Sequence, residues 1–174
     1  MHSNNNSKTT LQDFTSLRDT IVKQLQSHLA LLDKQALFIG IHTGGLWLAK
    51  DLQKQLNIDS QLGELDISFY RDDFAQNGLN PQVKPSVLPF EIENAHIILV
   101  DDIVMTGRTI RAALNEIFDY GRPKSVTLVS LIELNSRELP IQADIYGQKL
   151  SLLPSQRVEL LGPEPLRLQI VEAA

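Results

Sequence analysis

Three features of the sequence predict an α/β fold with a mostly parallel central sheet flanked by helices. Short apolar runs at residues 36–41 (ALFIGI) and 96–100 (HIILV) have the length of strands buried on both faces. Other segments place apolar residues three and four apart, the spacing of an amphipathic helix. Strands and helices alternate along the chain, the order that produces parallel neighbours joined by right-handed crossovers.

The elements follow in order. Leu11, Phe14, Leu17, Ile21, Leu25, Leu29 and Leu32 lie on one face of a predicted helix over residues 11–32. The strand at 36–41 comes next, then Gly44-Gly45 and a helix over 46–56. Residues 62–70 alternate as a strand, with Leu62, Leu65, Ile67 and Phe69 apolar. Residues 71–89 have no period, contain Gly78, Pro81, Pro85 and Pro89, and read as a long functional loop that orders over a ligand. The strand at 96–100 ends in Asp101-Asp102. A helix over 106–120 follows, with Ile110, Ala113, Leu114 and Ile117 inward and Gly121 as its stop. Residues 125–134 read as a strand. Residues 135–174 are short apolar pieces broken by Pro140, Gly147, Pro154, Gly162, Pro163 and Pro165, and suggest a small irregular C-terminal β subdomain.

The 174 residues hold one domain with a real core and are too few for two. Residues 1–10 are polar and Asn-rich without an apolar segment, so they read as a disordered lead-in and not a signal peptide; residues 11–174 form the single domain, and the cytoplasm is the expected compartment. No apolar stretch approaches the roughly 20 residues of a membrane span. With no Cys, disulfides, thiol catalysis and Cys-ligated metals are excluded. His2, His28, His42 and His96 show no ligand spacing, so no resident metal is expected. A net charge of -5 rules out a global basic field for nucleic acid, leaving only a local patch.

One run carries chemistry: IILVDDIVMTGRT, residues 97–109. Ligands of open α/β sheets sit at the carboxyl ends of strands. Here a buried strand delivers Asp101 and Asp102 to that edge. Ile103, Val104 and Met105 lead to Thr106, Gly107, Arg108 and Thr109, which open a helix. Gly107 lets backbone approach a ligand, and the helix-start amides with the threonine hydroxyls form an anion cradle. Carboxylates repel phosphate but accept hydrogen bonds from sugar hydroxyls. A phosphate with a diol several ångströms away, as in ribose 5-phosphate, satisfies both halves.

The run resembles the thirteen-residue 5-phosphoribosyl-1-diphosphate (PRPP) signature of the type I phosphoribosyltransferases, and it is not a Walker loop because GxxxxGK[ST] is missing. GIHTGGLWLAK resembles the pyrophosphate-loop segment of the same fold. LGELDISFYRDD, GRPKSVTLV and RELPIQADIYG are similar to the pyrimidine operon attenuation regulators, a family that is also a uracil phosphoribosyltransferase. The likeness spans about residues 37–170.

The resemblance implies the type I phosphoribosyltransferase fold, with a hood formed largely by residues 135–174. It implies that Asp101 and Asp102 hold the ribose hydroxyls, that 106–109 hold the 5′-phosphate, that Thr43 and Gly44 meet pyrophosphate, and that Arg71 closes over the leaving group. The implied reaction joins uracil to PRPP, giving UMP and diphosphate, with Mg²⁺ carried mainly by the diphosphate and ribose of PRPP. It also implies a homodimer or higher homo-oligomer and raises a pyrimidine-operon leader RNA as a partner. Two alternatives stay open: a regulator that senses RNA or nucleotides with little catalysis, and a phosphoribosyltransferase for adenine or orotate.

The sequence departs from the family at two places. Gly44 stands where Arg is usual, and Glu133-Leu134-Asn135 stands where Asp-Arg-Gly is usual. Both remove a cation, and Arg71 and Arg137 are the expected replacements. Met105 occupies the place where oxopurine enzymes carry an acid, which disfavours hypoxanthine and guanine. Trp47 reads as packing, His42 as a strand-end residue, and Asp72 and Asp73 as a solvated pair. The RNA candidates Arg18, Lys23, Arg108, Arg111, Arg122 and Lys124 are scattered, so a basic face would have to be assembled across an interface.

Overall fold

The computed structural model describes residues 10–67 and 86–172. Its elements are α1 (Phe14–Leu29), β1 (Leu37–Ile41), α2 (Gly44–Gln55), β2 (Leu62–Leu65), β3 (His96–Val104), α3 (Arg108–Tyr120), β4 (Ser125–Leu134), β5 (Ile145–Leu150), β6 (Gln156–Leu161) and β7 (Arg167–Glu172). Strands β1 to β5 form one parallel sheet in the order β2-β1-β3-β4-β5, and β6 pairs antiparallel with β7 in a separate small sheet.

Alternation along β3 explains the layers. Ile98 and Val100 turn to one face, where they meet Leu17, Ile21 and Leu25 of α1 and Leu48 and Leu52 of α2. Ile97 and Leu99 turn to the other, against Ile110, Ala113 and Ile117 of α3. Both faces of the strand are therefore covered, as its unbroken apolar run demands. In α1, Asp13 caps the first turn by accepting from the Ser16 amide at 3.0 Å. Such a cap contributes about 1 kcal/mol, whereas burying each of Phe14, Leu17, Ile21 and Leu25 contributes roughly 1.5–3 kcal/mol. Packing, not capping, holds this helix.

Three sequence expectations shift. β3 does not end at Val100 but runs four residues further, through both aspartates. The stretch after residue 135 divides: β5 joins the central sheet beside β4, and only β6 and β7 form the smaller sheet. β5 (IYGQKL) has no apolar run because it is an edge strand, and Gly147 lets α1 lie close on it. β2 stops at Leu65, and an isolated antiparallel bridge joins its Glu64 to Val87. Arg71, Asp72, Asp73 and most of the aperiodic stretch at 71–89 lie outside the described residues, as do residues 1–9. Among the described residues no helix is long and apolar enough to cross a membrane.

The amino ends of the strands are tied by a polar cluster. His96 is hydrogen-bonded to Ser125 Oγ and to Asp33 Oδ1, each at 2.6 Å, and Lys124 Nζ donates to Asp33 Oδ2. The Lys124 bond, then the His96 bond, holds the Asp33 carboxyl well below its ordinary 3.8. A depressed carboxylate adds stability above its unfolded value, and that stability is lost as pH falls toward the folded one. Asp33→Asn is therefore expected to melt below the wild type at pH 7, with the gap closing as pH drops through and below the ordinary carboxylate range. Thermal scans across pH check this; a gap that widens in acid would contradict it.

Candidate active site

The strand order reverses direction between β1 and β3. From β1 the chain crosses to β2 on one side, and from β3 to β4 on the other, so a crevice opens between their carboxyl ends. The register makes it deeper. β1 pairs with β3 only as far as Gly40 with Val100, while β3 stays paired with β4 through Val104 with Glu133. The overhang puts Asp101 and Asp102 beside the point where α2 begins.

Two helix starts face this overhang. α2 opens at Gly44 after Thr43, whose side chain makes no capping bond. α3 opens at Arg108 after Gly107, a left-handed residue with φ 95°. Each helix start brings the positive end of a helix dipole and its first-turn amides toward the overhang. Asp101 is only 2% exposed, and its Oδ1 accepts from the Asp102 amide at 3.0 Å. Asp102 is half-buried and lies against Gly44: a Cβ there would come within 2.5 Å of Asp102 Cγ and overlap Oδ2. Any side chain at 44 would thus have to displace the Asp102 carboxylate, a constraint that the missing family Arg alone does not reveal.

A cleft of about 690 Å³ gathers most of the expected residues: Thr43, Gly44, Asp101, Asp102, Ile103, Val104, Met105, Thr106, Gly107 and Thr109. Arg108 and Arg137 stand outside its lining. Arg108 points along the helix start to Glu138 at 2.9 Å, although its amide remains in the turn and donates to Thr106 Oγ1 at 3.2 Å. Arg137 donates to Gln142 Oε1 at 3.0 Å on the exposed loop after β4. Arg71 lies outside the described residues. Met105, 43% exposed, sits at the rim.

Sequence reasoning missed the far wall, which β6 supplies through all of its residues, Gln156 to Leu161. The alternation of Val158 and Leu160 with Arg157 and Glu159 was a legible strand signal, but nothing local says which site a terminal hairpin will cover. Trp47 packs against the core as expected and also lines the cleft. At the second departure, Glu133 is buried, accepts from the Ala143 amide at 2.9 Å and lies 3.5 Å from Lys149 Nζ. Leu134 lines the cleft instead, adding an apolar wall where the family carries a cation. His42 is satisfied by Glu64 at 2.8 Å, next to the α2 start.

Comparison with known proteins agrees with this geometry. The model of the phosphoribosyl transferase domain matches residues 11–157. A bifunctional protein PyrR from Pseudomonas aeruginosa (strain LESB58) is 59% identical over 150 residues, covering 86% of this chain and 88% of the relative. Another, from Pseudomonas fluorescens (strain Pf-5), is 56% identical over 160 residues, covering 91% and 95%. Among solved structures, a hypoxanthine-guanine phosphoribosyltransferase from Bacillus anthracis str. 'Ames Ancestor' superposes with a TM-score of 0.66 at 20% identity, covering 87% of this chain and 86% of that one, a likeness of fold. The fold is that of the type I phosphoribosyltransferases, and the chain belongs to the phosphoribosyl transferase family and, within it, to the bifunctional PyrR proteins.

Proposed function

We propose that this chain transfers the phosphoribosyl group of PRPP to uracil, forming UMP and diphosphate, and that it also regulates pyrimidine genes through leader RNA. The observation that carries the enzymatic half is the convergence of two helix starts on either side of Asp101 and Asp102 in one cleft. PRPP has the matching charge pattern, a phosphate at each end and a diol between. The α3 start would hold the 5′-phosphate, the aspartates the ribose hydroxyls, and Thr43 with the α2 start the diphosphate.

Displacement at the anomeric carbon then asks little covalent work of the protein. Uracil N1 bonds to the carbon as the bond to diphosphate breaks, both bond electrons leave with the diphosphate, and the N1 proton is given up to water or to the departing diphosphate. The residues here orient the ribose and stabilise charge on the leaving group, the two effects that dominate such transfers. Mg²⁺ fits as a substrate-borne ion. Among the described residues no three carboxylate or imidazole groups converge to hold a metal alone, yet two hard oxygen donors at the cleft floor suit an ion whose other ligands are substrate oxygens and water. Bound there, Mg²⁺ would neutralise developing diphosphate charge.

The regulatory half rests on the kinship with proteins named bifunctional. Among the described residues, the candidate cations of one copy do not all share one patch. Arg108 opens α3, while Arg122 and Lys124 follow its far end, and 13 helical residues separate them by about 20 Å. Lys124, Arg108 and Arg18 are also paired with Asp33, Glu138 and Asp19. An RNA face therefore needs cations from two copies, so we include a homodimer or larger assembly in the proposal, working in the cytoplasm.

The test is turnover of labelled uracil with PRPP and Mg²⁺, against hypoxanthine and guanine at equal concentration, together with a band shift on a pyrimidine-operon leader at about 50 mM salt with UMP. Uracil is expected to be the faster base. Faster turnover of either oxopurine would overturn the base assignment. A shift lost in roughly 0.3 M salt for every RNA alike would remove the regulatory half.

A further inference from the structure

We propose that Arg157 binds the diphosphate of PRPP, and that Glu159 is the resting partner it leaves to do so. This rests on the phosphoribosyl-transfer reading above. Among the described residues, Arg157 is the one cation lining the cleft. The rest of the polar lining offers two carboxylates at the floor, Gln156 and Glu159 on β6, hydroxyls and helix-start amides. A helix start supplies only about half a unit charge, set against a ligand whose diphosphate carries several. Gly44 contributes no charge, and a side chain there would have to displace the Asp102 carboxylate.

The local geometry suits an arm that moves. On β6, Val158 and Leu160 pack on the core at the edge of the cleft and fix the strand, while Arg157 and Glu159 share the opposite face, and all four reach the cleft lining. Arg157 Nε donates to Glu159 Oε1 at 2.8 Å, and the Arg157 side chain is 60% exposed. Glu159 is held from the other side, where its Oε2 accepts from Gln169 Nε2 of β7 at 3.1 Å. The carboxylate is thus anchored by two strands and the guanidinium is the mobile member. An exposed ion pair is weakly held. A diphosphate offers the five-donor guanidinium a bidentate partner of higher charge, so the exchange favours the ligand.

This arrangement predicts effects of opposite sign from the two members of one ion pair, which a merely structural role would not produce. Calorimetry of the full chain with PRPP and Mg²⁺, without uracil so that nothing turns over, reads the diphosphate contact. UMP serves as the control ligand, since it keeps the 5′-phosphate, ribose and base but has no diphosphate. Arg157→Gln is expected to weaken PRPP about tenfold, the range of one charge-assisted hydrogen bond, and to leave UMP within about twofold. Arg157→Lys should recover part of the loss, because it keeps the charge without the fork. Glu159→Gln should tighten PRPP about two- to threefold by releasing the arm. PRPP binding unchanged in Arg157→Gln, equal weakening of PRPP and UMP, or weaker PRPP binding in Glu159→Gln would each overturn the inference alone. A wild type that binds neither ligand would overturn the phosphoribosyl-transfer reading and this inference with it.

Discussion

Replacing Gly44 by Arg is expected to lower uracil-dependent diphosphate release by about 10²-fold, although charge alone argues the reverse. Arg is the residue the family resemblance leads one to expect here, and a cation at the α2 start would face the leaving group. Sterics decide against it. A Cβ at position 44 lies within 2.5 Å of Asp102 Cγ and 3.1 Å of its Cβ, and overlaps Oδ2. Gly44 is itself the buried first residue of α2, so its backbone is held by the helix and the clash falls on the Asp102 side chain. The relief available is for the Asp102 carboxylate to shift by about an ångström, and misplacing a positioning group by that much costs about 10²-fold. Gly44→Ala should fall by a similar factor, since the first carbon makes the clash and the guanidinium adds only distance. The measurement is kcat/KM for PRPP at saturating uracil, with thermal melting to confirm that both variants fold. Activity of Gly44→Arg at or above the wild type would show that the carboxylate does not work from the position described.

That result would also mark where sequence reading reaches its edge. The buried strands and helices were legible because they are periodic: HIILV can only be a strand covered on both sides, and Leu17, Ile21 and Leu25 recur at helical spacing. The cleft floor was legible because its residues are contiguous, so Asp101 to Thr109 reach one place by local geometry alone. Gly44 was identified as a contact, but the reason for its identity was not, because Asp102 is 58 residues away and their meeting depends on β1 ending short of β3. β5 was read as part of an irregular subdomain because an edge strand needs no apolar run, and YGQK has none. Arg157 escaped notice for a related cause. Its strand folds back over the cleft from near the end of the chain, and a contact of that range leaves no local pattern. Arg108 shows the converse. It lies inside the most telling motif, yet its side chain turns to Glu138 while its amide stays in the turn, donating to Thr106 Oγ1.

Asp101→Asn combined with Asp102→Asn is expected to abolish PRPP-dependent turnover, by about 10³-fold, while the fold persists. The size follows from the contacts at stake. Each carboxylate would accept a ribose hydroxyl, and a hydrogen bond to a charged group contributes about 1.5–3 kcal/mol. Losing both gives about 3–6 kcal/mol, and at about 1.4 kcal/mol per tenfold the loss spans roughly 10² to 10⁴. The fold should survive because the carboxamide keeps the oxygen that matters structurally: an Asn at 101 can still accept from the residue-102 amide, as Asp101 Oδ1 does at 3.0 Å. Asp101 is buried at 2% exposure, so its replacement by Ala would open a void and confuse folding with function, whereas the isosteric amide avoids this. β3 is also held independently of these side chains, by its pairing with β4 from His96 to Val104. Calorimetry with PRPP and Mg²⁺ should show binding weakened in step with turnover, and circular dichroism and the melting midpoint should stay near those of the wild type. Equal PRPP affinity in the wild type and the double variant would remove the two aspartates from the ribose site, and with them the central link between this cleft and its substrate.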